Sequence, residues 1–207
     1  MVVHAAPQVK GWLDAVAVLG HIVKDRESRG HNHRVAKLCV RIGRQLAMTT
    51  GELRVLARAG LMHDIGKVAI PDHILDKHSP LDQAEWKLMK SHPEMGMSLL
   101  GDSRSTREML AVLYHHERLD GSGYPYGLGA DAIPIEARIV AVADTYDALT
   151  SDRPYRTART PLEARRVVME EAGRRLDARV VSAMFAALDV HVSRSAEVVR
   201  RTLLAIW

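Results

Sequence analysis

The residues best equipped for chemistry are His63 and Asp64, adjacent in the run Leu61-Met62-His63-Asp64-Ile65-Gly66-Lys67. An imidazole nitrogen and a carboxylate from neighbouring positions form a grip for one or two divalent cations. A single such pair arises readily by chance. This one has company, because His31, His92, His115, His116 and Asp144 also fall within or at the ends of apolar helical segments. Glu27 stands four residues before His31, so in a helix the two face the same way. A helical core holding that many unpartnered imidazoles and carboxylates would be costly, and convergence on cations removes the cost.

Imidazole and carboxylate without thiolate suit iron, manganese, cobalt, nickel or zinc, and disfavour a magnesium or calcium site built only of oxygen. Five histidines with up to three carboxylates exceed the needs of one ion, so two or three are expected. Two ions roughly 3.5–4 Å apart can hold a bridging hydroxide as nucleophile and steady charge on a phosphoryl group.

The elements that must position these residues are helical. Trp12, Val16, Leu19 and Val23 form a stripe that reaches Glu27, and His31, Val35, Leu38 and Ile42 continue the spacing beyond Gly30. Thr49 with Glu52, Asp82 with Glu85, and Ser105 with Glu108 have the spacing of capping boxes. The helices they open lead towards His63-Asp64, His92 and His115-His116 respectively. Pro93 fits the first turn of a further helix. Asp120 to Gly129 is a loop by composition. Ile135 to Leu149 is apolar almost all round, which marks a central buried helix containing Asp144. Thr160, Pro161 and Glu163 open another. No alternating strand pattern or repeat stands out.

The fold expected is all-α. With 207 residues, 47% hydrophobic and 26% charged, the chain has the size and balance of one globular domain over 1–207. Aromatics make up only 4%, so aliphatic side chains and alanine must build the core. A net charge of +4 suits a phosphate-bearing ligand but is too mild and too mixed with acidic residues for a nucleic-acid polymer. Cys39 is the lone cysteine, so no internal disulfide can form and a reducing compartment is expected. Neither a signal peptide nor a run of about 18 apolar residues is present, so the expected location is cytoplasmic, without a membrane span.

Three longer runs add a family resemblance. HDIGKVAIPDHIL (His63 to Leu75), HHERLDGSGYPYGL (His115 to Leu128) and ARIVAVADTYDALTSDRPYR (Ala137 to Arg156) resemble the HD-GYP family, a branch of the HD metal-dependent phosphohydrolases that hydrolyse cyclic di-GMP. The likeness covers roughly residues 22 to 185. It implies an HD-domain helical bundle with additional C-terminal helices, with no separate regulatory domain in this chain. It also implies metal ligation by His31, His63, Asp64, His92, His115, His116 and Asp144, with Asp64 bridging two ions and Glu27 serving a third. Iron or manganese is the first choice of metal.

By the same resemblance, Lys67, Arg153 and Arg156 contact substrate phosphates. Gly123, Tyr124 and Pro125 border the cleft, and their loop is linked to docking of GGDEF-type cyclase domains. The implied activity is hydrolysis of cyclic di-GMP to pGpG or GMP. Two rivals stand beside it: a cyclic-dinucleotide sensor or adaptor that does not cut, and an HD-type hydrolase of another nucleotide. Oligomeric state, a homodimer included, stays open. The chain departs from the family pattern at His78-Ser79, where Pro-Gly is usual, and at Leu176-Asp177-Ala178, where Phe-Asp-Pro is usual.

Overall fold

The computed structural model describes residues 30–101, 106–152 and 157–189. The expected helix from Trp12 to Glu27, and with it Glu27, lies outside the described residues, as do Ser105, Arg153 and Arg156. Among the described residues there is no β-strand, only two isolated bridges, Asp120 with Gly129 and Ala172 with Leu176. The order is α1 (His31–Gln45), α2 (Thr50–Met62), a 3-10 turn (Ile65–Ala69), α3 (Asp72–Leu75) and α4 (Gln83–Met89). Then follow α5 (His92–Leu100), α6 (Thr106–Tyr114), a second 3-10 turn (Ala130–Ala132), α7 (Ile135–Thr150) and α8 (Pro161–Glu171). A last helix, α9, occupies residues 178–189.

Local signals set the helix starts. Thr49 caps α2 in a complete capping box: its hydroxyl accepts from the Glu52 N–H while its own N–H donates to the Glu52 carboxylate at 2.9 Å. Asp82 with Glu85 on α4 and Thr160 with Glu163 on α8 repeat the arrangement. Gly30 precedes α1 with a φ of +86°, a left-handed conformation that favours glycine. At the other departure from the family pattern, Asp177 accepts from the N–H groups of Arg179 and Val180 and so opens α9.

Glu108 does something other than its sequence position suggests. It is buried and pairs with Arg58 of α2, tying α6 to α2 instead of only marking a helix start. Its burial is tolerable because the guanidinium compensates the charge.

Helix α7 is the axis of the bundle, packing against α1, α2, α6 and α8. The main core combines Ile42 and Leu56 with Ile139, Val140 and Met184, all fully buried. Burying such a side chain contributes about 1.5–3 kcal/mol. A smaller cluster of Met62, Ile65, Leu100 and Val112 lies under the 3-10 turn. There the backbones nearly touch: a Cβ on Gly66 would collide with the His92 carbonyl. Glycine at 66 therefore lets the chain after Asp64 lie directly on the start of α5. No helix among the described residues is long and apolar enough to cross a membrane.

Candidate metal centre

Among the described residues each candidate ligand sits at or near a helix end, apart from Asp144, which projects from the middle of α7. His31 begins α1, His63 caps the end of α2, His92 begins α5, and His115-His116 follow α6. His31, Asp64, His92, His116 and Asp144 line one cavity of about 560 Å³, in the size range of small-molecule sites, and His63 and His115 are fully buried in contact with them.

Two donor groups meet in Asp64. One comprises Asp64, His92, His115 and His116; the other comprises His31, His63 and Asp64; within each, the donor atoms lie within 4.8 Å of one another. The carboxylate faces both ways, with Oδ1 3.4 Å from His92 Nε2 and Oδ2 3.4 Å from His63 Nε2. Asp144 Oδ1 stands 3.3 Å from His31 Nε2 and 3.9 Å from His63 Nε2, adding a second carboxylate to the second group.

The imidazole tautomers follow from hydrogen bonding. Nδ1 of His63, His92 and His115 donates to the carbonyls of Gly60, Met89 and Val112, at 2.9, 2.8 and 2.7 Å. Holding the proton on Nδ1 turns Nε2 inward as the lone-pair donor, the usual second-sphere arrangement around a metal. His92 Nε2 then meets His115 Nε2 at 3.4 Å, and His31 Nε2 meets His63 Nε2 at 3.3 Å. Nitrogens bound about 2.1 Å from an ion stand about 3.0–3.4 Å apart in octahedral or tetrahedral geometry. The donor set fits divalent metal on both spacing and chemistry.

Burial pushes His92 down to about 4 and takes His115 and His116 well below the usual imidazole range. At neutral pH these three offer uncharged donors. His31 differs. Burial opposes its charge, but hydrogen bonds to Asp144 and Asp147 outweigh that and raise it to about 9. Burial likewise opposes the charge on Asp64, yet Lys67 and His63 hold its carboxyl well below the usual carboxylate range. Lys67 Nζ is 2.7 Å from Asp64 Oδ2, on the cavity wall.

The Gly-Tyr-Pro loop lies against this cluster. A Cβ on Gly123 would strike the backbone of 116–118, so glycine permits the close approach. The Tyr124 ring stacks on His116 with centroids 4.6 Å apart and lines the cavity, and a cis peptide leads to Pro125.

Several residues outside the expected ligand set also belong to the site. Asp147 accepts from His31 Nδ1 at 2.7 Å and pairs with Arg34, orienting the imidazole from behind. Its signal was present: Asp144 and Asp147, like His31 and Arg34, are three apart and share a helix face. Glu117, buried, accepts the N–H groups of Tyr126 at 2.7 Å and Leu128 at 3.0 Å, pinning the loop. His78, in a polar stretch of sequence, lines the cavity beside Ser79.

Known proteins show which family the chain belongs to. The model of the HD domain family matches residues 17–180. The chain belongs to the HD domain family. The HD-GYP motifs quoted from the sequence fall inside that match. It is 46% identical over 146 residues to the cyclic di-GMP phosphodiesterase response regulator RpfG of Xanthomonas campestris, covering 69% of this chain and 39% of that protein. It is 40% identical over 163 residues to 3'3'-cGAMP-specific phosphodiesterase 2 of Vibrio cholerae, covering 76% of this chain and 31% of that one. Among solved structures, Bd1817, an HDG"Y"P protein from Bdellovibrio bacteriovorus, superposes with a TM-score of 0.65 at 21% identity, over 86% of this chain and 59% of that one. The chain thus spans well under half the length of both curated relatives.

Proposed function

We propose that this HD domain is a metal-dependent phosphodiesterase that hydrolyses cyclic di-GMP in the cytoplasm. The observation that carries the proposal is Asp64, shared by two inward-facing donor groups on one cavity wall. His92, His115 and His116 with Asp64 would hold one ion, and His31, His63 and Asp144 with the same carboxylate a second. Bound there, such ions supply a nucleophilic water at neutral pH and neutralise charge on the phosphoryl group.

The chain's own residues do the rest. The carbonyls of Gly60, Met89 and Val112 keep three imidazoles in the donor tautomer, and Asp147 does the same for His31. Lys67 presents an ammonium to a phosphate oxygen, a role suited to a compact, flexible point charge. Arg153 and Arg156, outside the described residues, are proposed to fork onto phosphate oxygens. Water oxygen attacks phosphorus, the bond to the 3′-oxygen breaks, and that oxygen leaves with a proton.

Iron or manganese is the proposed metal, and Glu27 the proposed ligand of a third ion. Glu27→Ala then lowers bound metal by about one equivalent. Tyr126, 56% exposed on the pinned loop, gives that loop a face for a GGDEF-type cyclase domain.

The test is anaerobic purification, elemental analysis of bound metal, and chromatography of products from several cyclic dinucleotides. Linearised or fully cleaved cyclic di-GMP is expected. Full metal loading without cleavage of any of them overturns the hydrolase and leaves a cyclic-dinucleotide sensor. Preferential cleavage of 3'3'-cGAMP would move the substrate to the hybrid dinucleotide named for the Vibrio relative.

A further inference from the structure

The cavity has a second chemical character away from the histidines. Its wall also includes Ile74, Leu75, Pro80, Leu81, Trp86 and Met89, an apolar surface that metal chemistry does not use. Met89 ties this surface to the cluster, because its carbonyl holds the His92 ring. Trp86 lines the cavity and is nevertheless 47% exposed, so a large indole face is left to water beside the candidate metal centre. The same cavity is lined by His78 and Ser79, which stand in place of the family's Pro-Gly.

Lys90 adds a recognition element. Its ammonium lies 5.8 Å from the centroid of Trp86 and 5.7 Å from that of Tyr124, between two rings that line the cavity. Among the described residues it has no carboxylate partner, unlike Lys67 and Lys77, which pair with Asp64 and Glu85. Tyr124 in turn stacks on His116. A continuous series of rings and one cation therefore runs from a candidate metal ligand to the exposed indole.

We infer that Trp86 and Lys90 form a subsite for the guanine base of the substrate. The indole supplies a stacking face, which any purine can use. Lys90 supplies donors only, and these match the O6 and N7 acceptors on the guanine edge, whereas adenine places an N6 donor there. The apolar wall beside Trp86 shields the stacked ring from water. The inference rests on the cyclic-dinucleotide proposal above, but it concerns base selection rather than bond cleavage.

The experiment uses the metal-loaded protein. Trp86→Ala raises KM for cyclic di-GMP on the order of ten-fold, with kcat and bound metal near wild type. Trp86→Phe, which keeps an aromatic face, restores most of the loss. Lys90→Ala narrows the preference in kcat/KM for cyclic di-GMP over cyclic di-AMP. An unchanged KM in Trp86→Ala, or a fall in kcat and metal content with KM unchanged, overturns the subsite. Binding is followed separately by tryptophan fluorescence in a Trp12→Phe, Trp207→Phe background, where Trp86 is the remaining indole. Quenching by cyclic di-GMP without turnover keeps the subsite and rejects the hydrolase; neither quenching nor turnover rejects both.

Discussion

His92 and His115 aim Nε2 at each other across 3.4 Å, while each commits its Nδ1 proton to a backbone carbonyl. Burial keeps both rings uncharged at neutral pH, so no proton is held between them. Two lone pairs facing in this way repel, and an ion placed between them turns the repulsion into coordination. Metal should therefore stabilise the fold: loading with manganese raises the melting temperature and chelation lowers it. A melting temperature indifferent to metal would count against the centre.

The shared carboxylate gives an asymmetric pattern of loss. Asp64→Asn should weaken both donor groups and remove more than about one equivalent of metal, whereas His31→Ala should remove about one. Elemental analysis after gel filtration reads both numbers. Equal losses in the two variants would mean that Asp64 serves a single ion.

The two groups should also differ in proton release. His31, raised to about 9, carries its second proton between pH 7 and 8, so an ion entering its group must displace that proton. His92, His115 and His116, all shifted down, have none to lose there. As pH rises through about 9 the release from the His31 group should fade. Calorimetric titration with manganese in buffers of different ionisation enthalpy measures the effect, which should come to about one proton for one class of site and none for the other.

Asp147 should behave as a positioning residue. Asp147→Asn leaves an amide where a carboxylate now holds the His31 Nδ1 proton and the Arg34 fork. Changes of this kind cost about 10–100-fold in metal affinity. Competition with a chelator reads the loss, and it should fall on one ion and spare the other.

Glu117→Gln tests the loop. The carboxylate accepts one N–H on each oxygen, and an amide can replace only one of them. The other N–H would face a donor in a buried place, at about 1–3 kcal/mol. Urea denaturation should show that loss, with KM for cyclic di-GMP rising as Tyr124 loosens and metal content holding.

The helical fold was legible because its signals are local. Three capping boxes need only four residues each, and α7 announces itself through Val140, Ala141, Val142 and Ala143 in succession. The convergent histidines were legible through their places at helix ends and the motifs around them. Partners remote in sequence were not. Arg58 and Glu108 are 50 positions apart, and Arg34 and Asp147 are 113 apart, so only the packing of α2 on α6 and of α1 on α7 pairs them. Glu108 therefore read as a capping residue rather than a buried ion-pair partner. Trp86 was no candidate at all, because its exposure at the cavity depends on which neighbours the tertiary fold leaves out.

His63 and His115 each stand just beyond a helix, and His92 just beyond α4. In each case the ring proton answers a carbonyl three residues back, one of the last-turn acceptors that a helix leaves without a backbone donor. These side chains thus finish a helix with one nitrogen while presenting the other to the cavity. An alanine at any of them would fray a helix terminus as well as delete a donor. The two losses can be separated by comparing each variant with its parent after both have been stripped with chelator, where only the fraying remains.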